Sequence, residues 1–300
     1  MTKAPTWRLR VATFNIQYAK PTRTDRGTEL FEPIHVSGAG EDSLMVVRAA
    51  IDDLNADVVA LQEVDEARAR SGRVPQTDEI ARFLEHDGKF AEAPGWAIRK
   101  LVPRLPMLRK RKGRVFGGYG NALFTRCEVT HWETIVLGRF EPWIRKDPAG
   151  KRGIKGYYWR RPEQRVAGFA VVKPVRPDGT SFDDEVIVVS THLSTHNSSA
   201  RKQLREVAEK VLDLRAQRGG IPAVILGDLN LQPDEAEAAL KGLGFEALAE
   251  SLTFPNWKPR TQIDHILGIG LESGPSEVRH YGVSDHAALA TEVWPKATQG

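Results

Sequence analysis

The sequence predicts an α/β protein in which two mainly antiparallel β-sheets pack face to face, with helices on the outside. Three observations carry this. Many short apolar runs rich in Val and Ile are interrupted by only a few long helical patterns. The runs are irregularly spaced, and several neighbours are joined by connections too short for the crossover that a parallel pair needs. Neither a glycine-rich dinucleotide fingerprint, a phosphate-binding P-loop nor an internal repeat is present, so a doubly wound Rossmann sheet is disfavoured. With 300 residues, 41% hydrophobic and 27% charged, the chain holds enough apolar material for one large core, and a single domain over 1–300 is expected.

The elements follow in order. Residues 9–16 (LRVATFNI) read as a strand, and the Thr-, Arg-, Gly- and Pro-rich stretch 17–42 as a long irregular connection of the kind that often borders a site. Asp42 or Ser43 caps a helix with Leu44, Val47, Ala50, Ile51 and Leu54 on one face, and 57–64 (DVVALQEV) follows as a buried strand. A second helix is expected from about 77 to 86, before a weakly patterned stretch through Trp96. Residues 98–114 (IRKLVPRLPMLRKRKGR) combine two prolines with a dense basic run and read as a flexible insert. Strand character returns at 120–125 (GNALFT) and 134–137, whereas 143–161 is rich in Lys, Arg, Gly and aromatics. Residues 166–172 and 185–190 pair as a hairpin around the turn PDGT. The clearest helix spans 197–218, with Leu204, Val207, Val211 and Leu214 on one side and Gly219 and Gly220 as its stop. Residues 221–226 form a strand at whose end Gly227 permits a bend; Pro233 opens a short helix through Leu240, and strands at 262–269 and 287–293 finish the chain.

Charge and cysteine usage narrow the class. Lys plus Arg exceed Asp plus Glu by 43 to 39, a net +4 that permits an anionic partner without requiring one. The lone Cys127 cannot form an internal disulfide and reads as a small strand-end hydrophobe. No stretch approaches the roughly 20 apolar residues of a membrane span, and the start lacks a secretory apolar region, so a cytoplasmic monomer is the expectation.

Polar groups recur where apolar strands end. VATF leads to Asn15, VVAL to Gln62 and Glu63, VIVVS to Thr191 and His192, and AVIL to Gly227, Asp228 and Asn230; Asp264, His265, Asp285 and His286 follow the same pattern. If those ends meet, they supply oxygen ligands for a hard divalent ion and donors for a phosphate. Glu63 is the strongest metal candidate, because a carboxylate on a buried strand carries a large desolvation cost; pairing with a Lys or Arg is the competing reading. Asp228 lies too far before Pro233 to cap the following helix, which points Asp228 and Asn230 toward a site. Asn15 either bonds a neighbouring loop or orients an acid, and His192 and His286 are either satisfied core histidines or ligand contacts. Asp264 can orient His286 through one ring nitrogen. A serine hydrolase lacks its G-x-S-x-G elbow, and His192 and His196 lack the H-E-x-x-H context of a zinc helix.

The motifs VATFNIQ, VVALQEVDE, GGYGNALFTR, VVSTHLSTH, VILGDLNLQPDE, QIDHIL and GVSDHAALATEV, in that order across almost the whole chain, resemble the endonuclease/exonuclease/phosphatase superfamily. These are metal-dependent phosphoesterases related to DNase I and the apurinic endonucleases. The resemblance implies a four-layer α/β sandwich (DNase I-like) with its site at one edge of two central sheets. It assigns Glu63, Asp285 and Asn15 to a Mg2+ or Mn2+ site. His192, Asp228, Asn230, Asp264 and His286 become the catalytic set: His192 on the scissile phosphate, Asp228 and Asn230 positioning water and phosphate, and Asp264 paired with His286. Asn121, Arg165, Arg109 and Arg111 are the expected substrate-binding residues. Asp65 stands where the apurinic branch commonly has lysine, and His192 where it has tyrosine, so general phosphodiester hydrolysis is better supported than abasic-site repair.

The basic runs 104–114 and 151–165, with Trp143, Tyr157, Tyr158 and Trp159, suit a nucleic acid backbone with stacked bases. A DNA endonuclease or exonuclease is therefore expected ahead of a phospholipid or small phosphate ester, whose anionic headgroup the same cations would also meet. A noncatalytic anion-binding scaffold on this fold would require lost site groups, and the acids, amides and histidines are all present.

Overall fold

The computed structural model describes residues 6–22, 43–84, 87–93, 118–140, 144–146, 157–159 and 163–297. The basic insert at 98–114, with Arg109 and Arg111, lies outside them, as does most of 143–161. The elements run β1 (Leu9–Asn15), α1 (Ser43–Leu54), β2 (Val58–Glu66), α2 (Gln76–Leu84), β3 (Asp87–Glu92), β4 (Gly118–Thr125), β5 (Glu128–Val136), β6 (Ile144–Lys146), β7 (Tyr157–Trp159), β8 (Val166–Lys173) and β9 (Val186–His192). They continue through α3 (Asn197–Gln217), β10 (Ala223–Asp228), α4 (Pro233–Leu240), β11 (Glu246–Ala247), β12 (Asp264–Ile269), β13 (Leu271–Ser273), β14 (Glu277–Arg279) and β15 (Ala288–Pro295).

Side-chain alternation builds the layers. Along β1 and β2, Ala12, Phe14, Val59 and Leu61 face α1 and α2, while Leu9, Val11, Val58 and Ala60 turn to the other side. Along the second sheet, Phe169, Val171, Ile187, Val189 and Ile225 face α3 and α4, and Ala170, Val188, Val224 and Leu226 turn inward. The two inward sets share one apolar core, so the chain is a four-layer α/β sandwich. Strands buried on both faces explain the near-continuous apolar runs that mark 58–61 and 223–226 in the sequence.

Strand order places the site. One sheet runs β13-β15-β1-β2-β4-β3 with β14 on β15, the other β11-β12-β10-β9-β8-β5, and β6 pairs with β7. Each large sheet is antiparallel except for one central parallel pair, β1 with β2 and β9 with β10. Parallel neighbours end at the same edge: Asn15 stands opposite Gln62, and Asp228 opposite His192. Since β1 packs on β10 and β2 on β9, four strand ends gather on one rim. β12, antiparallel to β10, starts there with Asp264 opposite Asp228.

Several expectations change in detail. β5 begins at Glu128 instead of 134, and β3 forms where no pattern stood out; both are sheet-edge strands with half-exposed residues, so neither writes an apolar run. Gly227 lies inside β10 and makes no bend there. A Cβ on it would sit 2.0 Å from the Thr191 carbonyl oxygen, so close strand approach demands glycine. The N-cap of α4 is Gln232, in a capping box with Glu235, which leaves Asp228 free of any capping duty. Cys127 is buried, and burial pushes its thiol up to about 11. No helix among the described residues is long and apolar enough to cross a membrane.

Candidate active site

Glu63 reaches the site through a β-bulge. The β2/β4 register slips between Leu61 and Val64, and Glu63 takes a left-handed φ of 58° at the slip. That breaks the alternation which would otherwise hold its side chain in the sheet. Asn15 ends β1; its Nδ2 donates to Asp228 Oδ2 at 2.9 Å, and its Oδ1 accepts from the Gln17 N–H at 3.0 Å. Asp228 Oδ1 accepts the Asn230 N–H at 3.0 Å, and Asn230 Nδ2 donates to the Leu193 carbonyl at 3.2 Å. Gln17, Tyr18, Ala19, Glu63, Asn230 and Ser284 all have left-handed φ values, so six of the nine such non-glycine residues among the described residues surround this rim. Strain concentrated in this way marks a site whose geometry the fold over-determines.

The two histidines converge on Asp228. His192 Nε2 lies 3.4 Å from Asp228 Oδ2, and His286 Nε2 lies 3.7 Å from the same oxygen. His286 Nδ1 is 2.9 Å from Asp264 Oδ2, which also accepts the Thr253 hydroxyl at 2.6 Å. The Phe254 ring packs on the imidazole at 4.9 Å, and the His286 N–H donates to Ser284 Oγ at 3.1 Å. Asp285 accepts from Gln17 Nε2 at 3.2 Å and holds its Oδ1 3.9 Å from His286 Nε2.

Burial and charge divide the roles of these groups. Burial raises the Asp228 carboxyl to about 7, with the His286 charge opposing and the Asp264 charge assisting. Burial works against a charge on His286, but the carboxylates of Asp264 and Asp228 and the Asp264 hydrogen bond outweigh it and raise the imidazole to about 10. His192 goes the other way: burial, then the charges of Arg165 and His286, hold it well below its ordinary value. Near neutrality the site therefore pairs an imidazolium, a neutral imidazole and a carboxyl poised to exchange a proton.

The donor set fits a divalent cation at this rim. Asp228, Asp264 and His286 offer ligand atoms within 4.8 Å of one another, a grouping compatible with a metal ion. Asp264 Oδ1 is buried there without a hydrogen-bond partner among the described residues. Glu63 and Asp285 add hard oxygen donors; burial raises the Glu63 carboxyl, Arg165 and His286 oppose, and the Asp285 charge raises it further. A cation beside Glu63 and Asp285 would relieve that penalty.

Other expected residues divide. Arg165 is buried at the start of β8, its charge acts on both Glu63 and His192, and its Nε has no hydrogen-bond partner among the described residues. Asn121 donates to the Val166 carbonyl at 3.0 Å, tying β4 of one sheet to β8 of the other. Sequence reasoning missed Gln17, Thr253 and Phe254, and it reads Ser284 only as one of the polar groups beside Asp285 and His286, without a role. Gln17 carries a usable signal, standing two residues after Asn15 in FNIQ, whereas Thr253 and Phe254 come from an irregular segment whose only cue is SLTFP.

The chain matches the sequence profile described as the Endonuclease/Exonuclease/phosphatase family over residues 12–286. Among curated proteins, none matches the chain in sequence. Among solved structures, an endonuclease/exonuclease/phosphatase from Bacteroides vulgatus is 19% identical, with 96% of this chain and 99% of that chain covered at a TM-score of 0.63. The human Nocturnin catalytic domain with bound sulfate anion is 17% identical over 99% and 97% of the two chains, TM-score 0.59. A mannosyl-6-phosphatase from Bacteroides thetaiotaomicron is 16% identical over 95% and 99%, TM-score 0.59. At these identities the likeness is one of fold. Family and site together support a metal-dependent phosphoesterase. The chain belongs to the endonuclease/exonuclease/phosphatase family.

Proposed function

We propose that the protein is a divalent-metal-dependent phosphodiesterase that hydrolyses phosphate esters by in-line attack of water, with DNA cleavage, endo- or exonucleolytic, as its reaction. The observation that carries this reading is the convergence of His192 and His286 on one buried carboxylate oxygen of Asp228, beside the acids Glu63 and Asp285. Mg2+ or Mn2+ would be held by Glu63 and Asp285, with Asn15 alongside, and when bound supplies charge neutralisation at the phosphoryl oxygens.

The chain's own residues account for the remaining chemistry. Asp228, fixed by Asn15 and the Asn230 N–H, orients the attacking water and takes its proton, because a carboxyl near 7 is a competent base near neutrality. His286 acts as a charged donor, since Asp264 keeps it protonated. His192 and the second amide hydrogen of Asn230 donate to the phosphoryl oxygens as negative charge grows there. In this reading Arg165, whose charge acts on both Glu63 and His192, would bind substrate together with Asn121, and Arg109 and Arg111 would be further substrate contacts.

The sulfate of the Nocturnin domain and the sugar phosphate named for the Bacteroides enzyme are both tetrahedral anions, which supports the phosphate chemistry while leaving polymer against small ester to experiment. Plasmid, single-stranded DNA, RNA, sphingomyelin and phosphoinositide should be offered side by side, with Mg2+ or Mn2+ and with chelator. DNA cleavage that needs metal and falls by roughly 10²–10⁴ in Asp228→Asn is the expected result. Turnover confined to the lipid esters would overturn the nuclease reading, and a fully active Asp228→Asn protein would overturn the mechanism.

A further inference from the structure

A polar side chain interrupts the apolar face of α3. Gln203 shares the buried side of that helix with Ala200, Leu204 and Val207 and is 1% exposed, so both ends of its amide need partners inside the protein. Both have them. Oε1 accepts the Ser194 N–H at 2.8 Å, and Nε2 donates to the Gly138 carbonyl at 2.8 Å. An oxygen facing an N–H and a nitrogen facing a carbonyl fix which way round the amide sits. Glu206 Oε2, one turn further along α3, accepts the Gly138 N–H at 2.8 Å, so two residues of one helix grip Gly138 where the chain leaves β5.

The Ser194 contact leads into the catalytic rim. The Ser194 N–H and the Leu193 carbonyl belong to one planar peptide group, so holding the first aims the second. That carbonyl accepts Asn230 Nδ2 at 3.2 Å, while the Leu193 N–H donates to the Asp228 carbonyl at 2.9 Å. Three amide groups therefore run head to tail: Asn230 donates to the Leu193–Ser194 peptide, that peptide to Gln203, and Gln203 to Gly138. An amide that donates becomes a better acceptor, so each link strengthens the next. Leu193, Ser194 and Gln203 are all buried, and bulk water does not compete for the middle links. Asn230 needs this hold. Its backbone is left-handed at φ 51°, and among the described residues the Leu193 carbonyl is the one hydrogen-bond partner of its side chain.

Resting on the phosphoesterase reading, we propose that Gln203 is a positioning residue, which acts from α3 through the Leu193–Ser194 peptide to aim the Asn230 amide at the phosphoryl oxygens. Gln203 itself touches no substrate. A misaimed donor is missed most where charge on those oxygens grows, so its loss falls on turnover more than on substrate binding.

Two variants test it. Gln203→Met keeps the bulk and removes both bonds, whereas Gln203→Glu, protonated in its buried place, accepts from Ser194 and donates to Gly138 as the amide does. With bis(4-nitrophenyl) phosphate and Mn2+ near about pH 6, Gln203→Met should lower kcat by about tenfold or more with KM within about twofold, and Gln203→Glu should restore most of the loss. In an Asn230→Ala background the Met substitution should cost less than about twofold, because the group it positions is gone. In metal-free protein the two Asn230 Nδ2 protons, one bonded and one not, should give NMR signals whose separation narrows in Gln203→Met. An unchanged kcat in folded Gln203→Met, or an equal loss with and without Asn230, overturns the assignment. If the Met variant does not fold, Gln203→Glu carries the test: its rate relative to wild type should fall between about pH 6 and pH 9 as the carboxyl ionises and loses the Gly138 bond, and a constant ratio overturns the assignment. Should the wild type hydrolyse no phosphodiester, the phosphoesterase reading fails and the NMR decides alone. A narrowed separation then leaves the hold on Asn230 standing, and an unchanged one overturns it.

Discussion

Replacing Asp264 with Asn should release the proton that the fold holds on His286. In the native site burial opposes a charge on this imidazole, and the Asp264 carboxylate, 2.9 Å from Nδ1, is the first of the groups that overcome it. The rise from 6.5 to about 10 amounts to some 4–5 kcal/mol in favour of imidazolium. Asp228 and Asp285 contribute to that rise as well, so neutralising Asp264 should lower the His286 pKa by roughly two pH units or more. Asn keeps the shape and can still accept the Nδ1 proton, which separates loss of charge from loss of geometry. Nitrogen NMR of the His286 ring in metal-free protein reads the result directly. The wild-type ring should stay doubly protonated well above neutrality, whereas the variant ring should lose its proton at much lower pH, and turnover at pH 9 should fall by about 10²-fold. An imidazolium that persists to the same pH in Asp264→Asn would refute the account of how this site is charged.

The remaining predictions follow from the same geometry. Glu63→Gln should weaken Mn2+ binding by at least about tenfold in a calorimetric titration, and should leave the metal-free fold as stable or more so, because a disfavoured charge is removed; unchanged affinity would move the ion to the Asp228, Asp264 and His286 cluster. His286 has a raised folded-state pKa, so its contribution to stability is complete below about 6.5 and is lost as pH rises toward 10. Metal-free wild type should lose Tm across that interval more steeply than His286→Gln, and parallel curves would contradict the linkage. Gly227→Ala forces a Cβ against backbone atoms of Thr191, so Tm should drop by roughly 6 °C or more, and an unaltered melt would mean that β9 and β10 can separate at little cost.

What the amino-acid order determines by itself is the set of buried strands and the chemistry at their ends. Runs such as VVAL, VIVV and AVIL can only be core, and the polar groups at strand ends, Glu63, His192 and Asp228 after such runs and Asp264 before one, are too costly to bury without purpose. The order of motifs also marks the family. What tertiary structure decides is which ends meet. Asn15 and Asp228 are 213 residues apart yet share a hydrogen bond, because one parallel pair sits at the centre of each sheet and the pairs stack. The bulge that turns Glu63 outward leaves no periodic trace, since one extra residue resets the alternation only locally. Thr253 and Phe254, which hold Asp264 and His286, come from a segment without periodicity, so only packing selects them. Proton placement is likewise tertiary. A histidine is ordinary in isolation, and whether it is neutral like His192 or charged like His286 depends on which carboxylates and cations the fold brings against it once water has been excluded.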